Sequence, residues 1–283
     1  MPLVSSKEMV NDAYRNHYAI GAFPAHNLEM IRAITEAADD LNVPIILQST
    51  PATIYYMGMD HMVSMVKTAA DGVSVPVSLH LDHGESIRTV HQCVRGGYTS
   101  IMFDGSLLPF EENIDLVKQV VSVCHDVNVP VEAELGAIGK ADDESQDMEY
   151  YTDPSMAEEF VYRTKIDFLA AAFGTAHGQY KKAPRLDFDR VKKISEQTGV
   201  PIVMHGASGV PDEDLKRAIG CGVSKVNFST ELKQAFFKEL SHFLHENPLQ
   251  NDPRKVFVTS REAVKFIVKE KLLLLKPIPK AVQ

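Results

Sequence analysis

Eight short runs of apolar, β-favouring residues recur along the 283-residue chain, and they limit its fold more than any other feature. They are Tyr18 to Phe23, Val43 to Gln48, Val75 to Leu81, Thr99 to Phe103, Val129 to Glu134, Ile166 to Phe173, Val200 to His205 and Ser224 to Phe228. Each is nearly continuous in hydrophobicity, as expected of parallel strands covered on both faces. Four open with Val-Pro, where proline at the first strand position forfeits no needed ladder bond.

Helical patterns lie between these runs. Asn27 can cap LEMIRAITEAADDL, in which Leu28, Ile31, Ile34 and Leu41 fall near one face. Glu85 to Val94 places Ile87, Val90 and Val94 similarly before Gly96 and Gly97 end it, and Phe188 to Gln197 and Asp212 to Ile219 behave alike. Strand and helix alternating eight times is the pattern of an α/β fold of the (β/α)8 TIM barrel type. A doubly wound open sheet, the runner-up, usually needs fewer strands. With no linker or break in composition, residues 1–283 read as a single domain.

The bulk numbers exclude several functions. A net charge of −9 argues against a broad nucleic-acid-binding surface, while leaving room for a local anion site. No apolar run approaches the ~18 residues of a membrane span, and MPLVSSKEMV lacks the pattern of a secretory signal. The segment KEKLLLLKPIPKAVQ is expected to close a helix onto the core. Cys93, Cys124 and Cys221 are isolated, which fits a reducing cytoplasm and gives no disulfide framework.

A barrel places its chemistry just beyond the C-terminal ends of its strands. Those positions hold Asn27, Ser49, Asp82 with His83, Asp104, Glu134, His177, His205, and Asn227 with Ser229 and Thr230. One histidine at a strand end is most often a hydrogen-bonded rim residue. Three on one rim, separated by 94 and 28 residues, suit a divalent transition metal with an open position. Side chains alternate along a regular strand, so His80 and His83 cannot share a face. His83 is therefore the ligand candidate, and His80 a supporting or packing residue. The remaining histidines read as surface or helix residues, except His26, which stays open. After the seventh and eighth runs, HGASG and NFST combine glycine backbone with hydroxyl donors where barrels commonly hold phosphate.

Taken together, HLDHG, VEAELG, GTAHG, HGASG and NFSTEL resemble the class II, zinc-dependent ketose-bisphosphate aldolases, in order and spacing, from the first strand to about residue 265. GTAHG, HGASG and STELK lean toward the tagatose-bisphosphate branch over the fructose-bisphosphate one. The resemblance implies zinc on His83, His177 and His205, with Asp82 exchanging a proton with the C4 oxygen. It implies a dihydroxyacetone phosphate site lined by Gly178, Gly206, Ala207, Ser208, Asn227, Phe228, Ser229 and Thr230. Asp104 and Glu134 match positions that hold or border an alternative metal site. Arg254 matches a residue associated with the distal phosphate, with Arg261 as competitor. A monovalent cation such as sodium or potassium, a phosphorylated ketose substrate and a homodimer or homotetramer complete the expectation.

The chain departs from the family pattern after VEAELGAIG, where it reads Lys140-Ala141-Asp142. The family's glutamate, linked to the proton at C3, is replaced by Asp142, with Asp143 or Glu144 as possible substitutes. Rival readings fit less well. A Schiff-base aldolase would need a lysine on the sixth strand, which has none, and Lys225 is a poor stand-in. A metal-dependent hydrolase would need an HxH pair on the first strand, and YAIGAF carries no histidine. A sensor without catalysis would not require Asp82 beside all three ligand candidates.

Overall fold

The computed structural model describes residues 2–139 and 151–276. Eight parallel strands close into a barrel in simple sequence order, with the eighth pairing back onto the first. They are β1 (Ile20–Pro24), β2 (Ile45–Ser49), β3 (Val77–Gly84), β4 (Ser100–Phe103), β5 (Val131–Leu135), β6 (Phe168–Ala171), β7 (Ile202–Met204) and β8 (Val223–Asn227). Every expected run contributes a strand, though β6 and β7 are shorter than their apolar stretches.

Helices surround the barrel, and local chemistry explains several of their ends. The Asn27 side chain accepts from the Met30 amide at 2.9 Å and starts α2 (Leu28–Leu41), which stops at Asn42 in the left-handed region. Ser86 caps α5 (Ile87–Gly96) through the Thr89 amide, and Gly97 at φ 101° ends it. The C-terminal α11 (Pro253–Leu275) packs on α2 and on α10 (Thr230–Glu246). It buries Leu272 and Leu275, as the LLLL run led one to expect.

Side chains alternate between two cores. One set faces the helices, including Leu47, Leu79, Leu81, Ile101, Val131 and Val226. The other fills the barrel: Ile20, Ala22, Ile46, Met102, Phe168, Ala170 and Val203. Met9, Val10 and Ala13 of α1 (Ser6–Asn16) pack against this inner set and cover it from one side. The polar residues sharing the inner phase include His80, Asp82, Glu132, Glu134, Lys225 and Asn227.

One irregularity positions the site. Leu81 pairs with Ile101 and Gly84 with Phe103, so β3 spends three steps where β4 spends two. This is a β-bulge, with His83 at φ 51°. The sequence placed His83 beyond the strand; instead the strand continues through it, and the extra residue breaks the alternation that would have sent Asp82 and His83 to opposite faces.

Phe168 is completely buried inside the barrel. Phe168→Ala is expected to lower stability by about 3–5 kcal/mol, read as a lower urea midpoint with the far-ultraviolet dichroism of the native state unchanged.

Candidate active site

Three histidines meet at the C-terminal end of the barrel. His83 comes from the β3 bulge, His177 from the loop after β6, and His205 from the residue following β7. Their ring centroids are 5.0 Å (His83–His177), 4.8 Å (His83–His205) and 5.8 Å (His177–His205) apart. His83 Nε2 lies 3.1 Å from His205 Nδ1. Two nitrogens bound tetrahedrally to zinc at about 2.0–2.1 Å would stand roughly 3.3 Å apart, so this spacing suits a shared ion.

The far nitrogen of two rings is already engaged. His83 Nδ1 is 2.7 Å from Asp104 Oδ2, and His205 Nε2 is 2.8 Å from Glu132 Oε1. Ser106 steadies Asp104 through its amide at 3.1 Å and its hydroxyl at 2.7 Å. Carboxylates behind the imidazoles fix which nitrogen faces the centre, an arrangement typical of metal-bound histidine. His177 is placed by its backbone, whose amide donates to the Gly139 carbonyl at 2.8 Å. The donor set therefore fits a divalent ion on His83, His177 and His205. A second grouping of His83, Asp104 and Glu134 also brings its ligand atoms together.

Electrostatics point the same way. Burial, then the neighbouring His205 and His83, pushes His177 down to about 3, leaving a neutral ring with a lone pair to offer. Burial likewise lowers His205. Burial also opposes charge on His83, but Asp82 and the hydrogen bond to Asp104 prevail and lift it to about 10. The carboxylates thus demand positive charge at the place where a cation would sit. Glu134 rises to about 8 through burial and the nearby Asp104; one of its oxygens, Oε2, is buried without a hydrogen-bond partner, 3.9 Å from His83 Nδ1.

Asp82 stands beside this cluster, its Oδ1 3.9 Å from His83 Nε2. Gln48 donates to Asp82 Oδ2 at 3.1 Å and Asn227 to Oδ1 at 3.3 Å. Despite its burial, the positive neighbours, His83 first, hold the Asp82 carboxyl below its usual range. A pocket of about 150 Å³ opens onto Asp82 and the three rings, and Gly178, Gly206, Ser208, Ser229 and Thr230 also line it. The Ser229 amide donates to Ser208 Oγ at 3.1 Å, tying the two loops together. Thr230 opens α10, so a helix N-terminus adds its partial positive charge to this pocket. A larger cavity of about 950 Å³ adjoins His83 and His177, with Glu85, Ser106, Leu107, Leu108 and Ile138 among its walls.

Several sequence candidates fall elsewhere. Ser49 points away from the pocket, with Oγ 2.6 Å from the buried Tyr98 hydroxyl, because Gln48 takes the inward phase of β2. Asn27 is spent on its helix cap. Phe228 turns its ring outward onto Phe23, at a centroid distance of 5.8 Å. Ala207 packs in the outer core, and its amide donates to the Asn227 carbonyl at 3.3 Å. Arg254 is 90% exposed at the start of α11, where it pairs with Asp252 and lines neither cavity. Arg261 is bound to Glu36 at 2.8 Å. Lys140, Asp142, Asp143 and Glu144 lie outside the described residues. Sequence reasoning missed Gln48, Glu132 and the inward course of Lys225. Counting back in twos from Asp82, Glu134 and Asn227 would have flagged the interior positions.

Comparison with known proteins agrees with this geometry. The family described as class-II fructose-bisphosphate aldolase matches residues 4–278. The YdjI aldolase from Escherichia coli K12 is 35% identical, over 99% of both chains, with a TM-score of 0.87. A candidate fructose-1,6-bisphosphate aldolase from Coccidioides immitis is 31% identical over 97% of this chain and 96% of its own, with a TM-score of 0.84. A fructose-bisphosphate aldolase from Campylobacter jejuni, 24% identical over 99% and 97%, shares the fold with a TM-score of 0.83.

Gly206 follows His205 in the pocket wall at φ +66°, and a Cβ there would lie 2.3 Å from the Ala176 carbonyl oxygen. Gly206→Ala must therefore push apart the loops that carry His177 and His205. The expected outcome is a lower thermal midpoint together with weaker cobalt binding by titration calorimetry.

Proposed function

The chain belongs to the class II fructose-bisphosphate aldolase family, and on that premise we propose that it reversibly cleaves a ketose 1,6-bisphosphate of the tagatose or fructose type. The products are dihydroxyacetone phosphate and an aldehyde such as glyceraldehyde 3-phosphate. The observation that carries this reading is Asp82, fixed by Gln48 and Asn227 beside three converging imidazoles. A carboxylate at hydrogen-bond reach of the C4 hydroxyl can take its proton as the C3–C4 bond breaks and return it in the reverse direction. Gly178, Gly206, Ser208, Ser229 and Thr230 supply the donors that hold the substrate's phosphate. His83, His177 and His205 would hold zinc, which when bound would supply Lewis acidity for negative charge developing at the substrate carbonyl.

Asp142 is assigned, by chain position alone, to the proton at C3. Assembly as a homodimer or homotetramer is part of the same proposal. A cytoplasmic setting agrees with three free cysteines, and among the described residues no helix is long and apolar enough to cross a membrane.

One rival gains an observation. Lys225 is inside the barrel, where a Schiff-base lysine would belong. Its ammonium, however, is bound to Glu132 at 2.8 Å, on the side of His205 away from the pocket, and it lines neither cavity.

Asp82→Ala is expected to retain zinc while kcat falls by ~10²–10⁴-fold, measured on both tagatose and fructose bisphosphates. In the parent, a chelator should abolish cleavage and borohydride should trap no adduct. Near-normal turnover in the variant would move the acid/base role to another residue, and chelator-resistant cleavage with a trapped lysine would replace this mechanism by the Schiff-base one.

A further inference from the structure

The interiors of such barrels are usually packed with layers of branched apolar side chains. Here a polar column crosses the inner core. From the α1 side, Ser6 Oγ donates to Ser100 Oγ at 2.7 Å, and Ser100 Oγ lies 2.7 Å from His80 Nδ1. His80 Nε2 is 3.5 Å from Lys225 Nζ, which donates to Glu132 Oε2 at 2.8 Å. Glu132 Oε1 then meets His205 Nε2 at 2.8 Å. His80, Glu132, Lys225 and His205 are all 0% exposed.

Stability does not account for such a column. Taking a lysine and a glutamate out of water is expensive, and replacing a buried ion pair with apolar residues of similar size is often neutral or stabilising. The geometry supplies a different reason. Glu132 divides its oxygens, one to Lys225 and one to His205. With Lys225 donating to Glu132 Oε2, the other oxygen, Oε1, is placed to accept from an Nε2–H of His205. That leaves the Nδ1 lone pair aimed at the cluster, 3.1 Å from His83 Nε2. Lys225 holds the other end of the carboxylate and so fixes the plane in which it meets the ring.

We propose that Lys225 and Glu132 act as a positioning pair, setting the orientation and tautomer of His205 for metal binding without touching substrate. The inference rests on the metal-dependent reading above and deepens it. Ser100 and His80 extend the same brace toward α1, so the N-terminal helix is linked by side chains to the centre it lies opposite.

The test uses the metal-free full chain and zinc alone. Lys225→Met/Glu132→Leu is expected to fold, with a urea midpoint equal to or above the parent's, yet to bind zinc 10–100-fold more weakly in chelator competition. Lys225→Met alone should fall between the two, since the carboxylate remains but loses its brace. A merely structural pair would lower the urea midpoint and leave zinc affinity in proportion. Nitrogen-15 spectra of the metal-free parent, which need no variant, should show His205 protonated on Nε2 and bare on Nδ1. A parent with the opposite tautomer overturns the proposal even if the double variant fails to fold. Equal, tight zinc binding in parent and double variant also overturns it while leaving the metal reading intact. A parent that takes up no zinc removes that reading and this inference with it.

Discussion

The extra residue in β3 sets the relation between Asp82, the proposed proton carrier, and His83, the proposed metal ligand. In an unbroken strand Asp82 and His83 would face opposite sides, and one of them would be lost among the surrounding helices. The bulge between Leu81 and Gly84 keeps both at the mouth of the barrel, with His83 accepting a left-handed backbone to do so. Histidine tolerates this region better than branched residues do, and the ring is then held by Asp104. Other parts of the site are arranged around that pair: Gln48 and Asn227 meet Asp82, and His177 and His205 meet His83.

The barrel around this centre is built for placement at some expense of burial. Its inner face mixes Phe168, Ile46 and Met102 with Glu132, Lys225 and His80, all buried. Each charged group finds a partner within the same column, so none is left as an isolated buried charge. The apolar members and the covering helix α1 keep the interior packed, while the polar members join strand to strand by hydrogen bonds.

Much of this was legible in the sequence, for reasons that also explain what was not. Eight continuous apolar runs gave the strands, and the rule that barrel chemistry sits at strand ends led directly to His83, His177, His205, Asp82 and Asn227. The same continuity hid the strand phase. When both faces are buried there is no polar-apolar alternation to say which residues point inward, so Ser49 reads as the rim residue where Gln48 lines the pocket. Glu132 and Lys225 escaped because attention to strand ends passes over the interior. The bulge has no local signature beyond the unusual density of polar residues in HLDHGE. Arg254 could be matched by chain position, but position along a helix does not say where its end lies; the fold leaves it on the surface, paired with Asp252.

In the proposed function, His83, His177 and His205 hold one zinc ion beside Asp82. X-ray absorption spectroscopy of the zinc-loaded protein tests it most directly. The account expects a first shell with three imidazole nitrogens at about 2.0–2.1 Å, no sulfur at about 2.3 Å, and a loss of one imidazole in each of the variants His83→Ala, His177→Ala and His205→Ala. A shell with fewer than three imidazoles, or one left unchanged by any of these substitutions, would contradict it.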